Sequence, residues 1–187
     1  MASISAELDG IYSQAREKIG SQSLYRRNLA RKLLLWVCCA THPLSWKELQ
    51  SALSWDDAKE MLDEDQRPFR DLVLYYICYL LIENCPENDN FHMVHFSMRE
   101  FWCNFPRHTS LSAGSSRLLI NLPIADQEIA QVSLAALSIC PIRQNIKVGL
   151  HLYRLVRYAT ENWCKYLISS SFDQVCAKDM KTPQPHL

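Results

Sequence analysis

Residues Tyr79 to Phe105 decide the fold: an apolar run, Tyr79-Leu-Leu-Ile82; a polar break, Pro86-Glu-Asn-Asp-Asn90; a second apolar run, Phe91-His-Met-Val-His-Phe96; and a helix start, Ser97-Met-Arg-Glu100. The first run is β-compatible, Pro86 cannot donate to a strand ladder, and Asn and Asp supply turn chemistry before the second run begins. The pattern predicts a hairpin that feeds directly into a helix. Ser97 and Glu100 have capping-box spacing, in which the Ser oxygen accepts from the third helical amide and Glu reaches back to the Ser amide. Phe96 and Phe101 stand where the hydrophobic staple of such a start belongs.

The same grammar occurs upstream. Pro43 and Leu44 precede Ser45-Trp-Lys-Glu48, with Ser45 as the N-cap and Leu44 and Leu49 as the staple pair. Before that, Leu29, Leu33, Trp36, Val37 and Ala40 recur at three and four residues, which places them on one helix face, with Asn28 as the candidate cap. Leu8, Ile11, Tyr12, Ala15 and Ile19 follow helical spacing up to Gly20, a suitable helix end. Asp56 to Pro68 is acidic and poor in apolar residues, and reads as a solvated loop holding at most a short turn. Asp71 to Cys78 is helix-compatible, although its aromatic and β-branched residues also suit an extension of the first strand.

Downstream, His108 to Asn121 is crowded with Ser, Thr and Gly and marks a boundary. Ala125 to Cys140 is nearly all apolar after Glu128. Leu152, Leu155, Val156, Ala159, Trp163 and Leu167 form a stripe opposite Arg154, Arg157, Glu161 and Lys165, so these two helices are expected to pack together. Beyond Phe172 the pattern ends, and residues 181–187 read as a frayed tail.

With 187 residues, 48% of them hydrophobic, the chain can bury a real core. Twenty basic residues balance twenty acidic ones, so the overall field does not favour nucleic acid or an anionic membrane. Every apolar run is broken by charge before the roughly 20 residues that cross a bilayer, and Met1 to Gly10 lacks the apolar core of a signal peptide, which points to a cytoplasmic residence. Six of the eight cysteines, Cys38, Cys39, Cys78, Cys103, Cys140 and Cys164, sit inside apolar patterns, where free thiols behave as small hydrophobes in a reducing compartment.

No Gly-x-x-x-x-Gly-Lys-Ser/Thr phosphate loop occurs, and no Gly-x-Ser-x-Gly nucleophile elbow. Cys38 and Cys39 read as packing groups, and no catalytic residue is assigned. His92 and His95, three apart on a strand, face opposite sides and lack further ligands at metal spacing, so no metal is expected. The Ser45 to Leu53 helix offers a nucleic acid only Lys47 and Gln50, offset by Glu48, while Arg26, Arg27, Arg31 and Lys32 keep DNA binding open as the alternative function.

Taken in order, Leu8-Asp-Gly-Ile-Tyr12, the Leu29 to Ala40 helix, Pro43-Leu-Ser-Trp-Lys-Glu-Leu49, Cys78-Tyr-Leu-Leu81 and Val94-His-Phe-Ser-Met-Arg-Glu-Phe101 resemble the winged-helix region of fungal STAND proteins. Those proteins place a NACHT nucleotide-binding domain before this region and ankyrin or other repeats after it. The same module is known as the GPI inositol-deacylase winged helix domain. The resemblance covers roughly Leu8 to Leu167, and Tyr158-Ala159 and Trp163 look like the helical segment that follows the module. Tyr79 departs from it, because the family often has glycine there.

The resemblance implies a mainly α fold: a winged-helix domain with a small β-hairpin wing, followed by a helical segment. The implied division is an N-terminal linker helix over 1–27, the winged-helix domain over 28–107, the helical segment over 108–172 and a disordered tail over 173–187. It implies a noncatalytic interaction and regulatory module of a NACHT-type signalling protein, here a fragment or truncated paralogue, with no cofactor of its own. Its partners would be an adjacent or separate NACHT domain and downstream repeats. In related switch proteins a Met-His-Asp motif contacts the ADP phosphate from this part of the winged helix. Val94-His95-Phe96 takes its place, so that His95 is either a phosphate contact, with a NACHT domain present, or a structural histidine hydrogen-bonded in the core.

Overall fold

Strand β5, Asn90–Met93, has a partner on each side: β1, Leu44–Ser45, and β4, Ile82–Cys85, in a three-stranded antiparallel sheet of order β1-β5-β4. The computed structural model describes residues 2–73, 81–87, 89–103, 118, 120–138 and 150–179. Helices α1, Ala2–Gly20, and α2, Leu24–Cys39, precede β1, which runs straight into α3, Trp46–Leu53. A second ladder pairs β2, Trp55–Asp56, with β3, Met61–Leu62, before a 3-10 turn at Glu64–Gln66. After the hairpin come α4, Ser97–Cys103, α5, Leu122–Ser138, and α6, Leu150–Asp179. This is the mainly α arrangement of a winged helix followed by further helices. Among the described residues no helix is long and apolar enough to cross a membrane.

The wing forms where expected, but its ladder sits closer to the turn. The paired residues are Ile82 with Met93, Glu83 with His92, Asn84 with Phe91 and Cys85 with Asn90. The second arm is therefore Asn90 to Met93 and not Phe91 to Phe96, with the Val94 amide donating to the Leu81 carbonyl at 3.1 Å; of the expected first arm, Tyr79 and Leu80 lie outside the described residues. The reason is the turn. Asp89 takes a left-handed backbone, φ 58°, which Asp tolerates, and its amide closes on the Cys85 carbonyl at 2.9 Å. The Asp89 carbonyl accepts the Trp46 amide and its carboxylate accepts from Arg70 at 2.7 Å, so the polar break is anchored and recruits polar residues into the ladder.

Ser45 caps α3 as its spacing predicts. Its amide donates to the Glu48 carboxylate at 2.8 Å and its Oγ accepts the Glu48 amide at 3.5 Å, with Leu44 and Leu49 both buried. The start of α4 differs. Ser97 is the first helical residue, its hydroxyl is engaged by His95 and Tyr12, and the Met98 and Arg99 amides go to the His95 and Phe96 carbonyls. Phe96 is 75% exposed while Phe101 is buried, so the two make no staple. Helix α1 is the cause: Tyr12 meets the Phe101 ring at 5.3 Å and the Arg16 guanidinium lies 5.0 Å above it, and this tertiary contact displaces the local cap.

Helix α2 begins at Leu24 with Ser23 in the cap position, so Asn28 lies inside it and residues 27 and 28 share one helix. Leu24 and Tyr25 are exposed, which is why the buried pattern that marks this helix starts only at Leu29. Of the segment 108–121 only 118, 120 and 121 are described; Leu118 and Ile120 are buried, and the Ile120 amide donates to the Trp102 carbonyl at 3.2 Å. Residues 70–73 are helical, and 74–78 lie outside the described residues, as do 180–187.

The acidic stretch 56–68 is more ordered than a loop. The Asp56 carboxylate accepts the Ala58 and Lys59 amides at 2.9 and 3.3 Å, Glu60 takes φ 51°, and Leu62 is buried. The Lys59 ammonium sits between Asp63 and Asp56 at 2.6 and 3.4 Å, which removes the repulsion that the composition suggests. The bond from Lys59 holds the Asp63 carboxyl below its ordinary value of 3.8, and the Ala58 amide does the same for Asp56. A depressed carboxylate stabilises the fold above its unfolded value and loses that contribution as pH falls through the folded one. Lys59→Ala should raise both carboxyls toward 3.8 in an NMR titration, and the amides of the β2–β3 ladder should lose exchange protection at a higher pH than in the parent.

Helices α5 and α6 pack together as their patterns predict, burying Ile129, Ala130, Val132 and Ala136 together with Leu155, Val156 and Ala159. The α6 backbone stays helical to Asp179, past Phe172 where its apolar pattern stops. Its other contact is with α3 and the end of α2. There Tyr158, Asn162 and Tyr166, four residues apart and on one face, are buried. Tyr166 Oη accepts the Thr41 amide at 2.9 Å and donates to the Cys39 carbonyl at 3.3 Å, and Thr41 Oγ1 donates to Asn162 at 2.7 Å. The bond to Cys39 satisfies a carbonyl of the kind a helix end leaves open. Burial raises the Tyr166 phenol, so the hydroxyl stays a neutral donor. Tyr166→Phe should cost about 1–3 kcal/mol in urea unfolding, because it strips the buried Cys39 carbonyl of its hydroxyl partner without removing the ring.

Candidate functional site

The side chain for which a role is expected, His95, lies just past β5, in the bend that joins the wing to α4. Its Nδ1 accepts the Ser97 amide at 3.2 Å and stands 2.7 Å from Ser97 Oγ. Ser97 Oγ in turn is 3.0 Å from the Tyr12 hydroxyl on α1. A backbone N–H can only donate, so in the neutral ring Nδ1 is the acceptor and the hydrogen resides on Nε2. The imidazole is thus oriented by two residues and half-buried, with Phe96 stacked on it at 4.4 Å between centroids. Val94 and Phe96, 51% and 75% exposed, flank it on the surface. The arrangement is a fixed N–H donor set in an apolar rim. Neither expectation for His95 contained Ser97 or Tyr12. The two-residue spacing of His95 and Ser97 is a local signal for the first, but nothing in the sequence points to Tyr12, 85 positions away.

His92 is held apart from His95. It points along the ladder to Glu83, with Nε2 3.0 Å from Oε1, as their register requires. Among the described residues no group of three His, Cys, Asp or Glu side chains is disposed to hold a metal ion.

The basic residues before and within α2 have partners. Arg31 forms a two-point pair with Glu128 of α5, one arm at 2.9 Å; Lys32 donates to the Trp55 carbonyl and lies 3.0 Å from Asp57; Arg27 donates to the Gly20 carbonyl at 3.3 Å, closing α1. On α3, Trp46, Leu49, Ala52 and Leu53 are buried and Gln50 donates to the Pro68 carbonyl at 2.9 Å, which leaves Lys47 as the exposed basic residue of that helix. Cys38 and Cys39 are buried, as packing groups would be, and Cys38 Sγ lies 3.6 Å from Met93 Sδ.

Ser97→Ala should cut the link from His95 to Tyr12 yet keep the tautomer, because the residue-97 amide that donates to Nδ1 is retained. In long-range 15N correlation spectra parent and variant should both show His95 as the Nε2–H tautomer; an Nδ1–H tautomer in the parent would contradict the geometry.

Residues 18–112 match the family described as GPI inositol-deacylase, winged helix domain. That span covers just over half the chain and holds the end of α1, the whole sheet and α4. No curated protein and no solved structure matches the chain significantly. With the capped α3, the hairpin and the helix after it all inside the matched span, this chain belongs to the GPI inositol-deacylase winged helix domain family.

Proposed function

We propose that the chain is a noncatalytic docking module that packs against a NACHT-type nucleotide-binding domain and favours its ADP-bound, inactive state. The observation that carries this reading is the His95 clamp: a neutral ring, fixed through Nδ1, presents an Nε2–H donor between two exposed apolar side chains. A diphosphate offers acceptor oxygens to such a donor, and Val94 and Phe96 supply the dry rim that makes the bond worth more than in water. Because Ser97 bridges His95 to Tyr12, a domain that pulls on the ring also pulls on α1. Gating then follows from differential affinity: a contact made only in the ADP state shifts the population toward it, and separation of the domains loses it. Downstream repeats would receive that change through α5 and α6. The pairing of Arg31 and Lys32 with carboxylates supports a protein-facing role over the DNA-binding alternative.

The test joins the chain to its cognate NACHT domain and follows release of a fluorescent ADP. A hydrogen bond to a charged group is worth about 1.5–3 kcal/mol, so His95→Ala should speed release by roughly tenfold or more. Phe96→Asp should have a comparable effect by weakening the docked state. Unchanged release in both variants would remove the role, and binding of a labelled DNA duplex with a steep salt dependence would favour the alternative.

A further inference from the structure

A polarity gradient runs through the cavity between the end of α2 and the wing. The cavity, about 200 Å³ in volume, is bounded by residues of α2, the link to β1, β5 and α4. Its floor is apolar and nearly dry: Trp36, Leu44 and Phe91 line it at 2%, 2% and 1% exposure, beside Met93. Its rim is the opposite. Arg99 and His42 line it and are exposed, and the His92 side chain is 42% exposed. No Asp or Glu lines the cavity, and Arg99 forms no ion pair among the described residues. The His42 ring is held in place, with Nδ1 3.2 Å from the Pro43 carbonyl oxygen and the Tyr158 ring edge-on to it at 4.9 Å. His92 is held from β4 by Glu83, at 3.0 Å, which leaves the Arg99 charge unanswered.

We propose that this cavity binds a small organic monocarboxylate built on a single apolar ring, with the ring on the floor and the carboxylate at Arg99. Size sets the scale of the ligand. An engineered apolar cavity of roughly 150 Å³ holds benzene, so this one holds a ring and its carboxylate and little more. Charge sets the sign. The rim offers a guanidinium and two imidazoles, which are cationic or neutral and never anionic, and a guanidinium takes a carboxylate through two parallel N–H···O bonds. The gradient sets the orientation: at the exposed rim a carboxylate keeps part of its hydration, while the ring leaves water for a surface of Trp36, Leu44 and Phe91. A cationic ligand would be repelled by Arg99, and a neutral ring would leave the guanidinium without a partner. The same group could arrive at the end of a peptide, but the volume matches the ring and carboxylate alone, so a free acid is the source the cavity fits. His95 does not line the cavity, and the inference does not depend on any role for it. A bound acid touches α2, β5 and α4 together, and so stabilises the junction of the wing with the core by mass action.

The full chain, labelled with 13C at its methionine methyl groups, is titrated with phenylacetate and followed by NMR. The Met93 methyl resonance should shift and saturate with a Kd of about 1 mM or tighter. Phenylacetamide has the same shape without the charge, and N-acetylglycylphenylalanine carries the same ring and carboxylate on a peptide. Each should bind at least roughly tenfold more weakly than phenylacetate. Arg99→Gln removes the charge from an exposed position and should weaken phenylacetate by roughly tenfold or more, while Arg99→Lys should restore part of the affinity. The methyl resonance of the fully buried Met98 reports that each variant is folded. A Met93 resonance that does not respond to phenylacetate, equal binding of the amide or of the peptide, or unchanged affinity in folded Arg99→Gln overturns the proposal.

Discussion

The pairing of β5 on both edges is the constraint from which the rest of the structure follows. A lone hairpin in water is marginal, and this one acquires a third strand from the two residues before α3, Leu44 opposite Phe91 and Ser45 opposite Asn90. Phe91 therefore stands at the centre, 1% exposed, with Trp46 against it at 5.6 Å and the Arg70 guanidinium 5.6 Å above its ring. Because Ser45 belongs at once to β1 and to the cap of α3, the sheet and the helix cannot shift relative to one another. The wing then has one position. His95, two residues past the end of β5, inherits it.

Helix α2 plays the complementary part at the other side of the sheet. Its buried face, Leu29, Leu33, Leu34 and Trp36, forms the middle of the core, and α6 and β5 both reach its last turn. The Tyr166 hydroxyl of α6 donates to the Cys39 carbonyl, and Met93 of β5 touches Cys38. A helix end leaves carbonyls without partners, and burying them here is tolerable only because Tyr166 reaches the Cys39 carbonyl. The helical segment beyond the family match is thus joined to the winged helix by specific polar contacts, in addition to apolar burial.

How far the sequence could be read depended on how local each cause was. The α3 cap was legible because Ser45 and Glu48 are three residues apart and nothing distant competes for them. An equally good motif at Ser97 and Glu100 failed because Tyr12, 85 positions away, takes the Ser97 hydroxyl. The hairpin was legible from Pro86 and the Asn and Asp residues, while its register was not, since Asp89 is held by Arg70 and Trp46 and moves the ladder toward the turn. The acidic stretch looked like a spacer because composition does not show that Lys59 lies between two carboxylates. His95 was singled out by motif, but its tautomer follows from Ser97.

By itself, then, the sequence determined what periodicity and short-range hydrogen bonding control: the amphipathic helices, the capped start of α3, the presence of a wing and its connection to a following helix. Only the tertiary structure decided which Ser acts as a cap and which as a bridge, and where the ladder begins. Each of those outcomes is a competition between a local partner and a distant one for the same donor or acceptor, and the distant partner becomes available only after the chain has folded.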